Sequence, residues 1–385
     1  MGRQLHWADE QTYFRHAVWT AQGQWLGPHG FTLVPPGQPY SLALLFLLTG
    51  PSVLAARLLQ VLASAASVWL AYRLARRVSP GAAALAAWLL ALYPLVAYTS
   101  GTLYPQSLAM LLLLGCLNLL ADHADRPSGP RLAAAGVMLG LAALTVPTVL
   151  SVSPVLAAWL WWIRRARWRG ALEVAALAAC CALTLAPWTL RNYVVEHRFV
   201  PIAGVGAQAF FFANNPNADP DSKDLGIVDR IYTPEVEAEI ARTGNPDAVY
   251  TRHALEFMRR QPGQFLGFYL RRLGHVFDFY PTTFTRTSHS GLAGRLVVGL
   301  TSGPALLLAL LGAWPLLRRS RHGALWVALP LAWAAASALF GVSIRYRIPV
   351  EPCILAVAAW TLWRYVFRME DPVHEVPARR PARPA

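Results

Sequence analysis

Residues 53–98 read VLAARLLQVLASAASVWLAYRLARRVSPGAAALAAWLLALYPLVAY, two apolar runs joined by a basic hinge at Arg73, Arg76 and Arg77. Each run is long enough to cross about 30 Å of hydrocarbon as a helix, and neither shows the strict alternation of a half-buried strand. The design repeats outward from there. Further runs fall at 102–121, 132–147, 148–163, 170–189, 294–317, 323–341 and 349–367. The expected fold is therefore an all-α integral membrane protein, a polytopic helical bundle of about nine transmembrane helices.

Composition agrees. Of 385 residues, 55% are hydrophobic and 14% charged, with a mean hydropathy of +0.37, too apolar for a soluble fold of this length. The net charge of +14 does not point to nucleic acid, because the arginines sit in short clusters between apolar runs and not along one face. The lipid bilayer is the partner they imply. Cys116, Cys180, Cys181 and Cys353 lie inside apolar stretches without metal-ligand or disulfide spacing and read as packing residues.

The short connections alternate between arginine-rich (Arg73 to Arg77; Arg164 to Arg169; Arg318 to Arg321) and uncharged (Thr99 to Gly101; Val146 to Thr148). The positive-inside rule makes the first group cytoplasmic. The domain plan that follows has an outer loop over 1–52 with interfacial helices, a six-helix region over 53–189, and a large, mainly helical outer loop over 190–293. A three-helix region over 294–367 and a disordered cytoplasmic tail over 368–385 complete it. Met1 opens directly on polar sequence, with no apolar run ahead of an outer segment of this kind, so a first helix is expected to be missing from the chain. The apolar stretch Tyr40 to Thr49 is too short to span and should lie along the outer interface. Between Gln261 and Tyr280, Phe265, Leu266, Tyr269, Leu270, Leu273, Val276 and Phe277 interleave with Arg271 and Arg272, the pattern of an interfacial helix.

The spans carry almost no ionisable residue away from their ends, where a proton or ion relay would need one. Acids and arginines gather instead at the outer ends: Asp9, Glu10, Arg57, Arg191, Arg345, Arg347 and Glu351. Asp9 and Glu10 lie among Trp7, Tyr13, Phe14 and Trp19, where a carboxylate can act as a general base or can simply favour a helix N-terminus. Arg57 enters the membrane on the outer side, and Arg345 and Arg347 crowd a short outer loop where the rule disfavours them. A lipid phosphate would compensate them, since guanidinium groups bind phosphate through paired hydrogen bonds; an Arg347–Glu351 ion pair is the simpler alternative. The scattered His16, His253, His275 and His289 suggest no metal site.

Four segments carry a resemblance: Asp9-Glu10; Val34-Pro35-Pro36 with Gly37-Gln38-Pro39; Pro187-Trp188 through Arg191-Asn192-Tyr193 to Pro201; and Arg345-Tyr346-Arg347-Ile348-Pro349. In this order the chain resembles the polyprenyl-phosphate-sugar dependent membrane glycosyltransferases, of the protein O-mannosyltransferase and lipid A aminoarabinose transferase type. It differs from them at Val34, where a basic residue is common, and at Gln106, where an acid is common. The resemblance implies a GT-C fold and transfer of a sugar from a polyprenyl phosphate to a hydroxyl on a lipid, glycan or protein. It implies no cofactor. Carried over, Asp9 and Glu10 are the catalytic candidates, and Arg57, Arg345 and Arg347 the donor-phosphate ligands. Tyr13, Tyr104, Gln106, Arg191, Asn192 and Tyr346 are expected to bind substrate or acceptor. A transporter or lipid flippase and a noncatalytic membrane scaffold are the competing readings.

Overall fold

Two short helices, α1 (Ala8–Ala21) and α2 (Gly37–Thr49), precede the bundle in a computed structural model that describes residues 4–25, 34–164, 166–221, 233–278, 292–341 and 343–369. They pack against each other through Ala17, Leu42, Ala43 and Phe46. The helix α3 (Val53–Ala75) then runs to the basic hinge, and α4 (Pro80–Leu92) returns from it. Both starts are capped by serine: Ser52 Oγ accepts from the Ala55 N–H and Ser79 Oγ from the Ala82 N–H, each at 3.3 Å. Such a cap contributes about 1 kcal/mol by satisfying an amide that the helix leaves bare. Pro94 lacks an N–H and clashes with the preceding turn, so the return run bends by 55° between α4 and α5 (Pro94–Ser100). Tyr93, at the bend, is tied to Ser302 by a 2.7 Å hydrogen bond.

Next come α6 (Gln106–Asp125), α7 (Gly129–Thr145), α8 (Ser153–Ile163) and α9 (Arg167–Glu196). Gly136 and Gly140, one turn apart on α7, let α9 approach at backbone distance. A methyl on Gly136 would lie 2.8 Å from the Leu177 carbonyl oxygen, and one on Gly140 would lie 3.0 Å from that of Cys181. This is the small-residue packing that membrane helices use where there is no water to drive association.

The loop side of the molecule carries α10 (Val205–Ala213), α11 (Pro234–Thr243), α12 (Pro246–Arg260) and α13 (Pro262–Val276). Arg272 fastens them to the bundle: its buried guanidinium donates to the carbonyls of Ala338 at 2.7 Å and of Ala213, and to Asn214 Oδ1 at 2.9 Å. The chain re-enters the bundle through α14 (Leu292–Arg319), α15 (Arg321–Ser337) and α16 (Glu351–Thr361), the last preceded by a 3₁₀ turn over Ile344–Val350. No strand occurs among the described residues.

Four helices, α3, α6, α9 and the 296–319 part of α14, are each long and apolar enough to cross a membrane, and the bent α4–α5 pair makes a fifth. The other expected spans correspond to shorter apolar helices: α7, the 147–163 segment, α15 and α16. The outward face of α14, with Leu300, Leu307, Leu310, Leu311 and Trp314, is exposed and apolar, as a lipid-facing helix must be. At the arginine-rich side, Arg77 pairs with Asp122 and Asp125, and Arg164 with Glu173 at 2.6 Å.

One local reading needs correction. Asn192 and Arg191 do not open a loop, because α9 continues through Pro187 to Glu196. Its last turns are clasped to the segment that follows: Trp188 Nε1 donates to the Ile202 carbonyl at 2.7 Å and Asn192 Nδ2 to that of Val200 at 2.9 Å. The apolar stretch Tyr40 to Thr49 runs to the end of α2, a helix of 13 residues, too short to span the bilayer. The tail after Asp371 and His289 lie outside the described residues.

Candidate active site

Asp9 and Glu10 occupy the first turn of α1, after an extended Trp7, where carboxylates are favoured by the free amides and the helix dipole. Their environments diverge completely. Glu10 is 0% exposed. Its Oε2 accepts from the amides of His6 at 2.9 Å and Trp7 at 3.3 Å, and its Oε1 from Leu103 N–H at 3.0 Å. Arg57 stands 3.9 Å from it and donates to the Gln4 carbonyl at 2.6 Å. Glu10 and Arg57 thus join the N-terminal segment, α3 and the α5–α6 turn, and neither faces an open surface.

Asp9 points the other way. Its carboxylate, 49% exposed, lies 3.0 Å from the Arg345 guanidinium, itself 31% exposed. The guanidinium also stands over the ring of Tyr104 at 4.4 Å and that of Tyr346 at 5.5 Å from the centroids, positions where a ring face attracts a cation. Tyr13, one helical turn from Asp9, completes the group. Burial, with Asp9 adding, pushes its phenol well above the usual range, and burial pushes Tyr104 up to about 12 against the opposing effect of Arg345. Both phenols are therefore hydrogen-bond donors at neutral pH. Three segments distant in sequence, α1, the α5–α6 turn and the 344–350 turn, meet here around one cation and one carboxylate.

Arg347, two residues from Arg345, is turned inward. It is 1% exposed at the side chain, donates from Nε to Glu351 at 2.7 Å, and donates from an Nη to the Val276 carbonyl at 2.9 Å. It ties α13 to α16 and does not reach the Asp9 group. Arg191 is also mostly buried, 4.9 Å over the Trp188 ring and 3.1 Å from Asn192 Oδ1, and Asn192 is spent on the clasp described above. Gln106 is buried at the start of α6. Of the named residues, Asp9, Tyr13, Tyr104, Arg345 and Tyr346 come together. Gln38, which the sequence marked only as part of a segment carrying the resemblance and without a role, is buried and donates to the Leu103 carbonyl at 3.1 Å. Among the described residues, no three His, Cys, Asp or Glu side chains form a metal set.

A groove of about 830 Å³ lies elsewhere, between the end of α9 and the outer side of α12. Arg198, Arg252, Arg259 and Arg260 line it with Asp247 and Glu256, which pair with Arg198 and Arg260, and with Phe199 and Leu255.

Bundle and site together define a class: a membrane-embedded helical protein with the GT-C fold. The archaeal oligosaccharyltransferase of Archaeoglobus fulgidus shares that fold. Its apo crystal structure is 18% identical with a TM-score of 0.56, over 95% of this chain and 48% of that one. The structure of the same enzyme in complex with an inhibitory peptide and a dolichol-phosphate is 17% identical with a TM-score of 0.54, over 94% and 47%. The chain thus spans about half the length of these proteins. ArnT from Cupriavidus metallidurans bound to undecaprenyl phosphate is 16% identical with a TM-score of 0.48, over 93% and 74%. More particularly, residues 34–190 match the family model described as dolichyl-phosphate-mannose-protein mannosyltransferase. No curated protein matches the chain in sequence.

Proposed function

We propose that this protein transfers a sugar from a polyprenyl-phosphate carrier to an acceptor hydroxyl, with Asp9 as base and Arg345 as the phosphate ligand. The observation that carries the reading is the half-exposed Asp9 carboxylate 3.0 Å from Arg345, flanked by Tyr13, Tyr104 and Tyr346. Asp9 takes the proton of the acceptor hydroxyl as that oxygen attacks the anomeric carbon from the face opposite the phosphate. The carbon–oxygen bond to the phosphate breaks in the same displacement, so configuration inverts, and the phosphate leaves with the bonding pair. Arg345 stabilises the negative charge that grows on it. The neutral phenols of Tyr13 and Tyr104 donate to sugar or phosphate oxygens. Glu10 and Arg57 hold the frame, and Arg347 holds the turn that carries Arg345.

The acceptor, whether lipid, glycan or protein, is selected by the 190–293 loop. The active side faces away from the arginine-rich connections, which supports a periplasmic position at the inner membrane under the positive-inside rule.

The test is transfer of radiolabelled sugar from polyprenyl-phosphate donors in membranes containing the chain. Asp9→Asn is expected to lower transfer by at least about a hundredfold, the usual contribution of a positioned base. Transfer that survives Asp9→Asn would remove Asp9 from the mechanism. No transfer from any donor by correctly inserted protein would remove the reading.

A further inference from the structure

Leu103 is gripped on both sides of its backbone. Glu10 Oε1 accepts its N–H at 3.0 Å, and Gln38 Nε2 donates to its carbonyl at 3.1 Å. Glu10, Gln38 and Leu103 are each 0% exposed, so both bonds are sheltered from competing water. The next residue is Tyr104, whose ring lies under Arg345.

The position of Gln38 is itself dictated from elsewhere. A Cβ on Gly37 would sit 2.8 Å from both Cα and N of Thr145, so the start of α2 rests directly on the backbone at the end of α7. Pro39 follows in the first turn of α2. The run Thr145, Gly37, Gln38, Leu103, Tyr104 and Arg345 is a chain of direct contacts and covalent neighbours from the bundle to the site.

We infer that Gln38 is a positioning residue: through the Leu103 carbonyl it sets the α5–α6 turn so that Tyr104 stands under Arg345 and beside Asp9. Gln38 touches neither substrate nor the reacting atoms. The inference rests on the site reading given under Proposed function, and its test has a readout that does not need transfer.

The chemistry of the grip supplies the test. The Leu103 carbonyl needs a donor. In Gln38→Leu there is none at any pH. In Gln38→Glu, a protonated carboxyl donates its O–H to the same carbonyl, whereas the ionised form turns a negative oxygen toward it. Burial raises the pKa of such a carboxyl, so this variant should lack the bond in mild alkali and regain it in mild acid. The titratable or charged groups on the helices packed around α2 are Asp9, Glu10, Tyr13, Arg15 and His16 on α1, Arg57, Tyr72 and Arg73 on α3, and Arg131 on α7. The wild-type protein at each pH is therefore the reference.

Full-length protein in lipid nanodiscs is compared at pH 5.5 and pH 8 by hydrogen exchange of peptides covering 99–106 and by donor kinetics. Gln38→Leu should exchange about tenfold faster than wild type at both pH values, the weight of one buried hydrogen bond. Gln38→Glu should match Gln38→Leu at pH 8 and wild type at pH 5.5. Transfer should follow the same pattern, with the donor KM rising in the loosened states. Recovery of Gln38→Glu in acid separates loss of the grip from misfolding. Wild-type exchange in Gln38→Leu, or no acid recovery in Gln38→Glu, would overturn the inference and leave the transferase reading intact. The expected exchange pattern in a protein that transfers nothing would uphold the grip on Tyr104 and discard that reading.

Discussion

Removing one partner of the Arg347–Glu351 pair should unfold the protein more readily without first touching donor binding. Both side chains are essentially inaccessible, 1% and 0% exposed, and the bond is 2.7 Å long. Glu351→Leu therefore leaves a guanidinium in the interior with backbone carbonyls for company, and Arg347→Met leaves a carboxylate there and frees the Val276 carbonyl. Either single change should cost about 3 to 5 kcal/mol, whereas the double change to Met and Leu, which removes both charges at similar volume, should recover most of that loss. Arg345→Met is the contrast. Its partner Asp9 is 49% exposed, and a pair in such contact with solvent is worth about 0 to 1 kcal/mol. The thermal midpoint of that variant should stay near wild type while donor affinity falls by about tenfold or more, the loss of a charge-assisted contact. The assay is a thermal unfolding series in detergent beside donor KM for the four proteins. If Arg347→Met kept the wild-type midpoint and raised donor KM, while Arg345→Met did neither, the assignment of the two arginines would be reversed.

Three further outcomes are expected. Gly37→Ala brings its Cβ against the Oγ1 of Thr145 and to 2.8 Å from its Cα and N and should destabilise by about 1 to 3 kcal/mol; in thermal unfolding, Thr145→Ala should rescue it only in part, because it removes the hydroxyl and leaves Cα and N in place. Asn192→Leu removes the donor to the Val200 carbonyl at a cost of about 1 to 3 kcal/mol, read as faster proteolysis in the 197–202 turn. Burial lowers His16 from 6.5 to about 4, so the unfolded chain takes up a proton between those values that the folded chain refuses. Stability should hold above about pH 6.5 and fall as the pH drops toward about 4, and thermal midpoints of His16→Gln should lose that slope.

The bundle was legible because apolar runs of the right length, broken by arginines, leave lipid as the only solvent that suits them. The length of α9 was not. Pro187 looked like the end of a span, yet the helix carries it and continues for nine residues to Glu196, since burial among neighbours can offset the bond that a proline removes. The site was half legible. Arg345 lies in a short outer loop where the positive-inside rule disfavours it, Asp9 among aromatic residues of the outer segment, and they do meet. Arg347 carried the same signal, and its i, i+4 spacing to Glu351 was visible. What decided its role was burial by the Val276 segment, 71 residues away in sequence. Gln38 lay in a segment that carries the resemblance, but its role left no signal, because its partner is a main-chain carbonyl 65 residues along, and every residue has one of those.

The ion pairs of Arg77 bear on how the molecule is made. Its partners Asp122 and Asp125 follow it by 45 and 48 residues, so during synthesis, which exposes N-terminal segments first, the arginine reaches the membrane before the acids exist. It is a naked cation when α3 chooses its orientation, and acids count little toward that choice in any case. The same side chain first sets a direction of insertion and then, once α6 arrives, becomes a cross-link in the finished bundle. Chain order separates two jobs that would otherwise cancel.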